Sequence, residues 1–231
     1  MNDPEDRDTT ATMDSIGRAF LRRLLAVPEG RRFMLSITVD AEEGDESGVF
    51  DQLAECIDDP ALRRVVLTHR DDEVRHASLF RGCLARNGWE KVEVPDEMRV
   101  IREVADGADP QERTITTAED IVTAYALLLV IEERGVQRFG QIADGFRPHD
   151  PETADTYLEV ARDERGHVRY CTRIGRHYAA DDAAWDAAVA RARGREGGAF
   201  GRVGVATLSY AHDRGWVDTD ALLAEFSLPA T

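Results

Sequence analysis

DDEVRH (residues 71–76) and RDERGH (162–167) are two versions of one motif, and what precedes each is also duplicated. Pro60 to Glu73 and Pro151 to Glu164 both span 13 positions, and FDQLAE (50–55) aligns with FGQIAD (139–144). Asp59-Pro60 and Asp150-Pro151 each pair a capping side chain with a proline at the first helical position, which is how a helix starts. Two similar helical hairpins joined by a crossover make a four-helix bundle.

The rest of the chain reads outward from these hairpins. Apolar residues recur at three and four rather than at two, so the class is all-α. A helix over Met13–Leu25 precedes a longer one from Pro28 to Ile57, then Pro60 to Arg86. Residues 87–116 form a crossover with one short helix near Asp96–Val104. Thr116 and Glu119 read as a capping box opening a helix to Asp144, followed by Pro151 to His177. Beyond Asp181 come Trp185, a glycine-rich break at Gly194–Gly198, an apolar helix near Val203–Tyr210 and a short one near Ala221–Phe226. The expected organisation is a disordered acidic head (1–12), a bundle with its N-terminal helix (13–180) and an accessory helical layer (181–231).

Composition narrows the function classes. The chain has 231 residues, with 29 basic and 45 acidic side chains, a net charge of −16 and 42% hydrophobic residues. A chain this long buries about 70% of its unfolded surface, so no metal is needed merely to hold a core together. The longest apolar run, Ile121–Ile131, is too short for a membrane span, and the acidic N-terminus lacks the features of a secretory signal. The expected compartment is the cytoplasm. Cys56, Cys83 and Cys171 form no CxxC pair, which excludes a zinc ribbon or rubredoxin-type iron site. The acidic balance disfavours nucleic acid unless the fold gathers its arginines on one face.

The chemistry lies in the duplicated motif. Glu and His at i and i+3 share one helix face, so Glu73 with His76 and Glu164 with His167 can each present an oxygen and a nitrogen to one point. Each hairpin's other helix should supply a carboxylate at the same height. Counting back from the turns gives Glu43 and Glu132, which interrupt the apolar stripes Val39/Phe50/Leu53/Ile57 and Tyr125/Leu128/Phe139/Ile142. Their neighbours Glu42 and Glu133 are the alternatives, and Glu46 is an additional candidate. Four buried carboxylates repel one another unless neutralised, and two divalent cations cancel their charge. Mixed oxygen and imidazole donors suit iron or manganese.

The pattern of Glu43, Glu73-x-x-His76, Glu132 and Glu164-x-x-His167 resembles the ferritin-like di-iron carboxylate superfamily over residues 28–177. The resemblance implies a ferritin-like four-helix bundle of two antiparallel hairpins and two iron ions, or a Mn/Fe pair. Glu73 and Glu164 would bridge the ions, and the lone glutamates would be terminal ligands. Asp72 and Asp163 resemble the aspartates that, in oxygen-activating members, orient a histidine ligand from the opposite hairpin. Arg75 is a candidate brace for a ligand carboxylate. Tyr125, two turns before Glu132, is a candidate pocket-lining or redox residue. His69, His149, His177 and His212 read as surface or capping residues.

The implied function is an oxidoreductase activating O2 or peroxide on a small organic substrate, with an external electron donor and a homodimer as a possible assembly. The alternative is an iron-binding or storage protein, and a third reading is hydroxylation of a tRNA base.

Overall fold

The computed structural model describes residues 4–43, 46–100 and 115–226, with side chains from residue 13 onward and excluding residues 46–47. All regular structure among them is helical. Helix α1 spans Pro4–Ala26, α2 Pro28–Glu42, α3 Glu46–Cys56 and α4 Pro60–Arg86. Then follow α5 (Ala118–Phe146), α6 (Pro151–Tyr178), α7 (Asp182–Asp213) and α8 (Thr219–Glu225).

The helix starts are set by local chemistry. Asp59 accepts hydrogen bonds from the Ala61 and Leu62 amides, and Asp150 from that of Thr153, each with a proline next in sequence. These bonds satisfy amides that the first turn leaves without intrahelical partners. The capping box of α5 lies one residue beyond the expected place: Thr117 and Asp120 cap each other, rather than Thr116 and Glu119. α1 begins at Pro4, earlier than the expected Met13, with proline and acidic residues in a first turn that favours both.

Two further expectations are corrected. The helix expected over 28–57 is two helices, α2 ending at Glu42 and α3 beginning at Glu46, with Gly44 between them in the sequence. Glycine has little helical propensity, and Asp45 follows it. Conversely, the break expected at Gly194–Gly198 is absent, and α7 runs unbroken through it. Trp185, Ala188, Ala192, Glu196, Ala199, Val203, Thr207 and Ala211 bury one continuous face of α7 at helical spacing. That burial outweighs the cost of its glycines. In the crossover, the stretch expected to be a short helix near Asp96–Val104 opens with a 3-10 turn at Asp96–Met98, and its residues 101–104 lie outside the described set.

α5 and α6 form the tightest hairpin, α4 packs on α6, and α2 and α3 both pack on α4. α1 lies against α2 and α5, and α7 covers α5. Gly30 permits the close turn from α1 into α2, since a Cβ there would meet the Leu24 carbonyl oxygen at 1.9 Å. One apolar core gathers Leu24, Leu35, Val39, Phe80, Phe146 and Tyr157, and a second gathers Phe50, Leu53, Val66, Tyr125, Leu129 and Ile174. On α4 and α6 the stretch between the two cores is the one carrying buried Glu and His, and on α5 it carries buried Glu132.

No helix among the described residues is long and apolar enough to cross a membrane.

Candidate metal centre

Between the two cores the helices bring two groups of side chains together. The first is Glu42, from the end of α2, with Glu73 and His76 of α4 and Glu164 of α6. The second is His69 and Glu73 of α4, Glu132 of α5 and His167 of α6. In each group four potential ligand atoms lie within 4.8 Å of one another.

Glu73 belongs to both groups, and Glu164 faces both. Its Oε1 is 3.2 Å from His76 Nδ1 and its Oε2 is 2.8 Å from His167 Nδ1. In the first group His76 Nδ1 is also 3.3 Å from Glu42 Oε2. In the second, His69 Nε2 lies 3.1 Å from Glu73 Oε1 and 3.0 Å from Glu132 Oε1, and His167 Nδ1 lies 3.3 Å from Glu73 Oε1. Atoms bound to one ion at about 2.1 Å stand about 3.0 Å apart at right angles and about 3.4 Å apart at tetrahedral angles. The spacing therefore fits ion-binding clusters.

Hydrogen-bond geometry points the same way. Glu42 Oε2, Glu73 Oε1, His69 Nε2 and His76 Nδ1 are buried, yet none has an aligned hydrogen-bond partner. Buried polar atoms are costly in that condition, and a cation placed among their lone pairs would satisfy them together.

Without a cation, protons balance the charges. Glu42 is raised well above the usual carboxylate range by burial, reinforced by Glu73 and Glu164. Glu132 is raised by burial and by Glu164 beside it. Burial opposes the ionised forms of Glu73 and Glu164, but the adjacent His167 and His69 overcome it at Glu73, and Glu132, His167 and His76 at Glu164, so both are lowered. For His76, burial disfavours the charged ring, while Glu164 and Glu42 push it up to about 10. His167 is raised further by Glu132, Glu164 and Glu73. Metal ions displace such protons from their ligands.

The outer nitrogens of two rings are held across the hairpins. His76 Nε2 lies 3.4 Å from Asp163 Oδ2, and His167 Nε2 lies 3.5 Å from Asp72 Oδ2. Arg75 Nη2 donates to Asp163 at 2.7 Å and to Asp72 at 3.2 Å, tying both aspartates together. The arginine expected to brace a ligand carboxylate braces these aspartates instead.

The structure separates the consecutive glutamates. Glu42 enters the cluster, while Glu43 turns outward to Arg81 at 2.5 Å and Lys91 at 3.0 Å. The expectation of Glu43 carried the phase of Phe50 and Leu53 back through one continuous helix, and the break between α2 and α3 shifts that phase. α5 is unbroken, so the same reasoning places Glu132 inside, and Glu133 pairs outward with Arg193 at 2.8 Å. The side chain of Glu46 lies outside the described residues.

His69 is the cluster member that the sequence reading assigned elsewhere. It is 1% exposed and packed between the Phe50 ring, centred 4.3 Å away, and the His167 ring, centred 3.9 Å away, both tilted to it. Its signal was present: His69 stands one turn before Glu73 on the same face of α4. Tyr125 is fully buried but lies in the second apolar core, with Cys171 and Tyr178 as its electrostatic neighbours. The tyrosine touching the cluster is Tyr170, whose ring centre is 5.1 Å from that of His69 and 5.4 Å from that of His167.

No protein-family model, curated protein or solved structure matches this chain. The functional reading therefore rests on the cluster itself.

Proposed function

We propose that the chain is a dinuclear metal oxidoreductase of the ferritin-like di-iron carboxylate kind, acting with O2 or peroxide on a small organic substrate and drawing electrons from an external donor. One observation carries the reading: two four-residue clusters share Glu73 and are both faced by Glu164, as a bridged pair of ions requires. Glu42 and His76 would hold one ion, His69, Glu132 and His167 the other, with Glu73 and Glu164 between them. When bound, such a pair supplies paired electron transfer to an oxidant.

The chain's own residues do the remaining work. Asp163 and Asp72 accept hydrogen bonds from the outer nitrogens of His76 and His167, which keeps each Nδ1 lone pair aimed inward. Phe50 and the apolar layers on either side keep bulk water from the carboxylates. Tyr170 keeps its phenolic proton: burial, followed by the nearby Cys171 and the three glutamates, raises it strongly. Gly135 is partly exposed and places no side chain beside Glu164, where a Cβ would lie 3.9 Å from Glu164 Cγ.

The test is metal content followed by oxygen reactivity. Metal-free protein is loaded anaerobically with Fe(II), freed of excess iron, and exposed to O2 while its absorption is recorded. About two irons per chain and a transient oxygen-dependent band, both lost in His76→Ala/His167→Ala, are expected. Dozens of irons per chain would move the reading to iron storage, and no retained iron would overturn it.

A further inference from the structure

The two clusters are built from different donors. The Glu42 cluster offers one imidazole and three carboxylates, and the His69 cluster two imidazoles and two carboxylates. The shared glutamates cancel from the comparison. What remains is Glu42 with His76 on one side, against Glu132 with His167 and His69 on the other. The formal charge is equal, so the difference is one additional neutral nitrogen.

That nitrogen belongs to a ring whose burial ordinary hydrogen bonding leaves unexplained. His69 has no aligned hydrogen-bond partner at either nitrogen, whereas His76 and His167 each have an aspartate at Nε2. A buried imidazole without partners is costly. Its Nε2 lies 3.0 Å from Glu132 Oε1 and 3.1 Å from Glu73 Oε1, the spacing of atoms converging on one point. Phe50 and Tyr170 flank the ring, so its orientation is set by packing.

We infer that the two metal positions are inequivalent: the His69 position fills first and selects a nitrogen-preferring ion such as Fe2+ or Co2+, leaving the Glu42 position to a second, oxygen-preferring ion such as Mn2+. This rests on the two-ion reading above. The physical reason is that imidazole favours later first-row metals, whereas carboxylate-rich sites accept manganese readily. The additional donor also gives the His69 position more bonds per ion.

The experiment uses the full chain, stripped of metal and titrated with Co2+ while its visible ligand-field absorption is followed. Two steps are expected, the first at least about tenfold tighter, the scale on which a lost supporting ligand interaction changes metal affinity. His69→Ala should weaken the first step by about tenfold or more and leave the second little changed; Glu42→Ala should do the reverse. His69→Gln keeps side-chain bulk and an oxygen donor should the alanine variant not fold, and should bind two ions without the preference.

The wild-type chain given one equivalent each of Co2+ and Mn2+, separated from free metal and analysed for both, should retain one of each, with the Co2+ absorption matching that of the first titration step. Two indistinguishable Co2+ steps, or variants that each weaken both steps alike, would overturn the inequivalence while leaving a two-ion centre intact. No bound metal would overturn the earlier reading as well.

Discussion

Arg75 controls more of the candidate site than its exposed position suggests. Its side chain is 41% exposed, yet one nitrogen bonds both aspartates that hold the ring nitrogens of His76 and His167. Arg75→Leu should therefore free both aspartates and lower metal affinity by about tenfold, the usual scale for residues that orient a ligand. Because the ion pairs are partly solvated, the melting free energy should change by less than about 1 kcal/mol. Chelator competition measures the first quantity and thermal unfolding of the metal-free chain the second. Unchanged affinity would show that packing alone holds the imidazoles. The duplicated motif made Glu73, His76, Glu164 and His167 legible as a set, because i, i+3 spacing is a local property of a helix. Choosing between Glu42 and Glu43 was beyond that logic, since it depends on whether the chain stays helical past residue 43.

At the scale of elements, α7 tests how far burial overrides propensity. Gly194, Gly197, Gly201 and Gly204 all lie on its exposed side, and a Cβ added at any of them would meet nothing within 4 Å. These glycines serve no close approach, so each weakens the helix by about 1 kcal/mol relative to alanine. Gly201→Ala should raise stability by about 0.5–1 kcal/mol, read as a higher denaturant midpoint with unchanged slope. A lower midpoint would mean that α7 needs to bend there. The sequence reading saw a break in this stretch because glycine density is visible locally. The buried face from Trp185 to Ala211 acquires its weight only once α5 and α6 are beside it. The starts of α4 and α6 were readable for the opposite reason: an aspartate followed by proline satisfies its own first turn, whatever the tertiary fold.

Across the whole molecule, the later helices are tied to the bundle beside the site. Glu196 of α7 is 2% exposed and receives both Nε and Nη2 of Arg134 at 2.8 Å. Glu133 pairs with Arg193 nearby, so both contacts to α7 come from the two residues directly after Glu132. Breaking a buried pair strands a charge, but Arg134 keeps about a third of its side chain in water. Glu196→Ala should thus destabilise by about 2–3 kcal/mol, toward the lower end for buried pairs. Urea unfolding measures it, and a loss below about 0.5 kcal/mol would show that α7 is held by its apolar face alone. The arginines gather only in part: Arg162, Arg165, Arg169 and Arg173 lie exposed along α6. Arg176 and His177 occupy the last turn of that helix, where its dipole favours cations.

The sequence by itself determined the all-helical class, the two matched hairpins, the starts of α4 and α6 and five residues of the cluster, since each follows from spacing within one helix or from capping within one turn. Tertiary structure alone decided that Glu42 replaces Glu43, that His69 joins the cluster, that Tyr170 rather than Tyr125 lies against it and that α7 runs unbroken. The physical reason is common to all four. Which face of a helix is buried, and what an irregular stretch does to its phase, depend on neighbours that come together only when the chain has folded.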